Sequence, residues 1–476
     1  MLSYRLLFLV MVFVSFTHLS KAQVTERTWS LQECVEYALD QNIDVRRSAL
    51  NIQMAKNDIN AAWADLFPDL NASFGYNFNF GLNIDPVTNL ISRQSRQTSN
   101  FGLNSQWTLF DGFRNKNNID RARLERDIRE ASYRQMEIDV TLNVTAAYLQ
   151  ILLAKEVLRI AREQERISTL QVQRMSDLVK AGAEPRGSLY ELEAQLARDE
   201  QNRVRNENDL MLSKLDLIQL LQLPDLDGFD VTNPIDGLPD SEVFEFTEDY
   251  IFQRALELQP GVKAATLGIQ QAEKDISIAK GQRYPTLSII GAISTNYSDQ
   301  IVEFGEQIPQ IIPIGQTGDG QPVFSVQQVP SDIRNKPFLN QAYDNVNEFV
   351  GVSLNIPIYS RLRIRNNIRN AQLQRQMADL EFEREKNRVR QDVQRAYADA
   401  QASLKSYRAA EKAVKSSKEA FDYAQERFRV GAIQQYDFEN AKNALAQAQA
   451  EQASSLYEFV FSINVLNFYA SNELKF

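Results

Sequence analysis

The chain is almost empty of the side chains that catalysis and metal binding use most. Its 476 residues include one histidine, His18, and one cysteine, Cys34. A single cysteine excludes an intrachain disulfide. His18 lies in the first 22 residues, which read as a cleaved export signal, and a mature chain with one thiol and no imidazole has neither a nucleophile–histidine pair nor an ordinary zinc site. Long apolar runs are missing too, and after the first 22 residues none approaches the roughly 20 that a membrane helix needs. Glycine and proline are absent from Phe113 to Ala181, and beyond Pro357 Gly431 alone represents them. Positive charge is in deficit, with a net charge of −10, which argues against nucleic acid as a partner.

What is present starts with an export signal. Arg5, an apolar stretch from Leu6 to Phe16 and the sequence Ser20-Lys21-Ala22 predict a secretory signal peptide over 1–22, cleaved before Gln23. No cysteine stands at the cut, so no amino-terminal lipid anchor is expected. Cleavage would remove His18, Arg5 and Lys21, leaving a net charge of −12. A mature chain without an apolar helix can enter a bilayer only as a closed β-barrel.

The sequence is duplicated. Ile52, Ala55, Ile59, Ala62, Pro68 and Leu70 recur 217 positions later as Ile269, Ala272, Ile276, Ala279, Pro285 and Leu287. Gly102, Asn117, Asn118, Tyr148, Gly182 and Ala183 recur at an offset of 249 as Gly351, Asn366, Asn367, Tyr397, Gly431 and Ala432. Residues 23–247 and 248–476 are thus expected to be two structural repeats, each with a helix, two strands and a long helical hairpin. The polar segment 223–247, with Pro234 and Pro239, would link them. The changed offset puts 32 extra residues into the second copy, within 298–346, where 81–99 stands in the first. Both stretches read as loops.

In each copy a helical stripe (Ile52, Ala55, Ile59, Ala62, Leu66) stops at Phe67-Pro68 and the period becomes two. Leu70, Ala72, Phe74, Tyr76 and Phe78 alternate with Asn71, Ser73, Gly75, Asn77 and Asn79, and Phe101, Leu103 and Trp107 with Gly102, Asn104 and Gln106. Val350, Val352, Leu354 and Ile356 do so with Gly351, Ser353 and Asn355. This pattern fits a membrane barrel with lipid outside and water inside, or a half-buried soluble sheet. The export signal, strands of about 9–11 residues and terminal aromatics (Phe78, Phe80, Trp107, Phe110, Tyr297, Tyr359) favour the barrel. Four strands cannot close one, so several protomers must contribute.

Beyond the strands, the stripe Val389, Val393, Ala396, Ala400, Leu404, Tyr407, Val414, Phe421, Ala424 and Phe428 runs near the 3.5-residue repeat of a coiled coil. Gly182 and Gly431 would end these rods and turn the chain back. A plain coiled-coil bundle shares that periodicity, but the strands directly before both rods speak against it.

The strand exit Leu109-Phe110-Asp111-Gly112 leading to Asn117–Ala122, its counterpart Pro357-Ile358-Tyr359-Ser360, and the turns Lys180-Ala181-Gly182-Ala183 and Arg429-Val430-Gly431-Ala432 together resemble the TolC family of outer-membrane efflux channels. The resemblance covers essentially the whole mature chain. It implies a membrane α+β fold: a trimeric 12-stranded β-barrel, four strands per protomer, continued by a long α-helical coiled-coil periplasmic tunnel. It further implies a homotrimer in the bacterial outer membrane, serving as the passive exit duct of tripartite efflux or type I secretion, with no enzymatic activity and no cofactor. A periplasmic adaptor protein and an inner-membrane pump are the implied partners, docking at Gly182, Ala183, Gly431 and Ala432.

By the same resemblance Asp437 and Asn440 match the acidic pore constriction, the first agreeing and the second departing. The alternative for Asp437 is that it caps the returning helix. Phe428 and Ile433 stand where the family holds its closed tip with Tyr and Arg, so that latch is absent. Arg361, Arg363, Arg365 and Arg369, echoed by Arg114, Lys116, Arg121 and Arg123, would meet outer-membrane lipid headgroups or form a solvated helix face. A periplasmic coiled-coil adaptor or scaffold is the alternative function. Nothing in the residues specifies the cargo.

Overall fold

The computed structural model describes residues 27–84, 91–224, 228–233 and 246–471. The signal peptide, Pro234, Pro239 and the chain end lie outside the described residues. The chain divides into two compact units: one of residues up to Met54, Arg126–Ile269 and Ala378 onward, the other of Ala55–Glu125 and Gln270–Met377.

In chain order the elements are β1 (Arg27–Trp29), α1 (Leu31–Gln41), α2 (Ile43–Ala64), β2 (Asn71–Ile84), β3 (Ile91–Phe110), α3 (Arg114–Lys180) and α4 (Arg186–Leu221). There follow β4 (Phe229–Val231), α5 (Glu248–Leu258), α6 (Pro260–Gly281), β5 (Thr286–Ser298), β6 (Val302–Phe304), β7 (Gln307–Gln316), β8 (Pro322–Pro330) and β9 (Ile333–Asn335). The last are α7 (Phe338–Asp344), β10 (Asn347–Asn355), α8 (Arg363–Arg429) and α9 (Gln435–Ser471). The two copies carry matched helices: 11 and 22 residues before the strands, 67 after them, then 36 or 37.

The single helix expected before the strands is in fact a pair in each copy. Asn42 and Gln259 adopt extended backbone and break it. The Asn42 side chain accepts from the Asp44 N–H at 2.9 Å, which starts the next helix. In the second copy Pro260 takes the first helical position, where its missing N–H costs nothing.

The second unit is built on one antiparallel sheet in the order β10-β5-β3-β2. Its register aligns the two-residue period of all four strands. Phe74 lies opposite Phe101, Leu103 opposite Ile293, Trp107 opposite Ile289, and Ile289 opposite Val352, so one face is apolar. Ser73 lies opposite Gly102, Asn104 opposite Ala292, and Ser288 opposite Ser353, giving an opposite face that is mostly small and polar. A β-bulge between Thr108 and Phe110 sets Phe110 opposite Leu287 and keeps the apolar face continuous at the strand end. Much of the apolar face is uncovered among the described residues: Val352 is 72% exposed and Phe74 62%. Beside them the Trp107 indole N–H donates to the Leu66 carbonyl at 2.8 Å, and the Asp111 carboxylate accepts from the Asn115 N–H at 2.9 Å, capping α3.

The strands are 14, 20, 13 and 9 residues long, and three exceed the expected length. Most of 81–99 is therefore strand rather than loop, because the β2–β3 ladder continues to Ile84 opposite Ile91. The segment 298–346 is likewise not a loop. It holds the β6–β9 pair, a β7–β8 hairpin and α7. Gly318 and Gly320 lie in the hairpin turn, where the Thr317 N–H donates to the Gln321 carbonyl at 2.8 Å.

In the first unit β1 and β4 pair in parallel, over a core that includes Trp29, Cys34, Tyr148, Leu152, Leu217 and Leu221. The Tyr148 hydroxyl donates to the Thr232 carbonyl at 2.5 Å. Burial pushes the Cys34 thiol up to about 12, with the Glu33 charge adding to the effect. A second core joins Ile251, Phe252 and Ala255 of α5 to Val389, Val393, Ala396 and Ala400 of α8 and to Phe459, Ile463 and Leu466 of α9. The first four residues of the predicted stripe are thus a buried seam of α8, while Leu404, Tyr407 and Val414 further along are half-buried.

Candidate functional site at the helix turns

Two turns of identical construction close the long helices. After α3, Gly182 has φ +74°; its N–H donates to the Val179 carbonyl at 3.0 Å, and the Ala183 N–H to the Leu178 carbonyl at 2.9 Å. After α8, Gly431 has φ +75°; its N–H donates to the Phe428 carbonyl at 3.1 Å, and the Ala432 N–H to the Arg427 carbonyl at 2.8 Å. These are Schellman caps, which satisfy the last helix carbonyls through one residue in left-handed conformation. A Cβ on Gly431 would meet nothing within 4 Å, so only its backbone resists substitution. Gly431→Ala is expected to cost about 1 kcal/mol, measurable as a lowered thermal midpoint without loss of helical signal.

The structure brings the two turns together. Glu184 and Ser188, beyond the first turn, share a cleft of about 360 Å³ with Phe428, Arg429, Gly431 and Ile433 from the second. Across it the Arg174 guanidinium donates to the Arg429 carbonyl at 2.6 Å. Asp437 and Asn440 are exposed and lie three residues apart on the first turns of α9, hence on one helix face. Asp437 is inside the first turn rather than at the preceding cap position, where its charge still suits the positive helix end. Neighbouring Phe438 is fully buried, stacked on Phe428 at 4.8 Å and packed beside Phe421 at 5.7 Å. Phe428 and Ile433, at the positions of the missing latch, pack against this cluster.

Sequence reasoning missed the neighbouring polar core. Lys442 is 0% exposed. Its ammonium donates to Ser168 Oγ of α3 at 2.7 Å and Asp199 Oδ2 of α4 at 2.9 Å, and lies 2.8 Å from Glu439 of its own helix. Ser168 also donates to Asp199 at 2.5 Å, and the Gln195 amide donates to its other oxygen at 2.9 Å. One cation therefore ties three helices, next to the turns. The signal was available: Phe438, Lys442 and Leu445 share one helical stripe, so Lys442 occupies a core position.

Of the basic residues near the strands, Arg121 pairs with Asp275 at 2.7 Å and Arg123 lies over the Trp63 ring. Arg361, Arg363, Arg365 and Arg369 are exposed.

A sheet apolar on one face and polar on the other, joined to paired 67-residue helices with matched end turns, defines a membrane α+β channel subunit. The chain belongs to the outer membrane efflux protein family, which it matches over residues 34–222 and 251–460, once in each copy. The probable outer membrane lipoprotein SilC of Salmonella typhimurium is 26% identical over 271 residues, and that match spans 55% of this chain and 54% of SilC, about half the length of each. The outer membrane efflux protein BepC of Brucella suis is 21% identical over 424 residues, 89% of this chain and 81% of BepC. The solved CmeC outer membrane channel of Campylobacter jejuni has the same fold, with a TM-score of 0.72 at 16% identity over 92% of this chain and 85% of CmeC.

The protein is an outer-membrane efflux channel subunit. Its fold class is that of the family, four strands per protomer of a trimeric 12-stranded barrel continued by a helical periplasmic tunnel. The adaptor alternative falls with this match, since the family is one of outer-membrane channels.

Proposed function

We propose that the chain forms a passive exit duct without catalysis, whose helix turns around Gly182, Ala183, Gly431 and Ala432 dock a periplasmic adaptor, with an inner-membrane pump supplying the energy. The register that separates an apolar from a polar sheet face carries this reading, because a duct needs lipid on one side and water on the other. The shared cleft at the paired turns offers Arg174, Glu184 and Arg429 for polar contacts with an adaptor.

Asp437 and Asn440 line the constriction in this reading. Three copies of an exposed Asp437 make an anionic ring that favours cations, and the neutral Asn440 leaves that ring weaker than a doubly acidic one. Support comes from the exposure of both side chains on one helix face beside a rigid apolar anchor, Phe438. Single-channel recording in planar bilayers tests it. The wild type is expected to show discrete cation-selective openings, and Asp437→Ala to keep the openings while losing much of the selectivity. Unchanged selectivity would demote Asp437 to a first-turn helix charge.

A further inference from the structure

The 32-residue insertion builds a feature with no counterpart among the described residues of the first copy, the short helix α7. It is clipped to the end of β5 on the apolar side of the sheet. Gln341, almost fully buried, donates to the carbonyls of Ser298 and Lys336 at 2.9 and 2.8 Å and accepts from the Ser298 N–H at 3.0 Å. It takes the place of a strand partner there, because β10 begins at Asn347 opposite Ser294 and does not reach Ser298. The Thr295 hydroxyl donates to the Ala342 carbonyl at 2.7 Å, and the Asn345 amide to the Asn296 carbonyl at 2.8 Å.

Thr295 and Tyr297 share a face with Ile293 and Phe101, since Thr295 lies opposite Phe101 and the side chains alternate. Phe338 seals the contact, 5.1 Å from the Tyr297 ring and 6.1 Å from that of Phe101. This end of the strands is the one remote from α3 and α8, hence the outer rim of the barrel.

Two large side chains of α7 remain uncovered: Leu339 is 76% exposed and Tyr343 83%. They are four residues apart and share one side of the helix. The nearby charges lie at its margins. Lys336 and Asp344 pair with each other, and Glu348, opposite Ile293, is the first charge met along the apolar face of β10. A leucine, a tyrosine and flanking charges at the upper limit of a lipid-facing band match the bilayer interface, where tyrosine is favoured and charges stay in water.

We propose that α7 is an interfacial helix, which sets Leu339 and Tyr343 into the outer-leaflet lipid and so fixes the depth of the barrel rim. The proposal rests on the lipid-facing assignment of the apolar sheet face, with which this surface is continuous.

Spin labels on single introduced cysteines test it, in full-length channel reconstituted into phosphatidylethanolamine–phosphatidylglycerol vesicles. The native Cys34 does not interfere, because its thiol is buried and stays protonated. Labels at Leu339→Cys and Tyr343→Cys are compared with Val352→Cys on the apolar face and Asn104→Cys on the polar one. Oxygen dissolves in lipid and a nickel chelate in water, so the ratio of their collision rates reports the surroundings. Positions 339 and 343 are expected to match Val352, several-fold above Asn104. A ratio like that of Asn104 would put α7 in water and overturn the proposal. Protection from both reagents would place a neighbouring protomer over α7 and overturn it too. If Val352→Cys itself reads as water-exposed, the sheet assignment fails rather than the α7 contact alone.

Discussion

Val352→Arg is expected to destabilise the inserted channel by up to about 2–4 kcal/mol, the cost of an arginine on the lipid face of a barrel. Val352 is exposed in the protomer and lies opposite Ile289 on the apolar face. Ser353→Arg, one residue on, turns to the opposite face, opposite Ser288, and is expected to change stability little. Urea titration of both variants in vesicles, followed by tryptophan fluorescence, measures the difference. A soluble sheet buried on its apolar face would give the same order, so the test lies in the size of the gap in vesicles: equal stabilities of the two variants would show that the face carrying Val352 meets water rather than lipid.

A comparable loss is expected at Lys442. Lys442→Met removes the cation that faces Asp199 and Glu439 and leaves two largely buried carboxylates without it. Breaking a buried pair from one side costs about 3–5 kcal/mol. Replacing the partner as well, in Lys442→Met with Asp199→Asn, should restore part of that, and the thermal midpoints of the single and double variants give the coupling. Because the network ties α3, α4 and α9 beside the turns, Lys442→Met is also expected to lengthen channel openings. Equal midpoints for wild type and Lys442→Met would show that the network contributes little.

The barrel strands were legible because both faces are chemically uniform: Leu70 to Phe78 and Phe101 to Trp107 alternate with almost no exception. The coiled-coil seam was legible for a similar reason, since Val389, Val393, Ala396 and Ala400 keep one helical spacing and all end up buried. The insertion was not. Pro309, Pro313 and Gly315 interrupt the period within β7, and the hairpin is held by backbone pairing to β8, which leaves no side-chain pattern.

The helix break at Asn42 was missed because its side chain serves as a cap with no glycine or proline beside it to mark the break. Gln341 was equally hidden, since its partners are backbone atoms, two of them on Ser298, 43 residues away in sequence. At the turns, the glycines announced themselves through duplication. Lys442 did not, because a lysine on a polar rod signals burial only once the stripe through Phe438 and Leu445 is drawn.

The sheet order leaves β2 and β10 as its two edges, each with an unpaired row of backbone groups. In a closed trimer each edge must meet the opposite edge of a neighbour, so every barrel contains three seams made between separate chains. This has a genetic consequence. In a cell making equal amounts of normal and seam-defective subunits, random assembly leaves only roughly one trimer in eight free of the defect. Mutations on the outer edges of β2 or β10 should therefore behave as dominant, whereas mutations that prevent a chain from folding at all, and so from assembling, should be recessive.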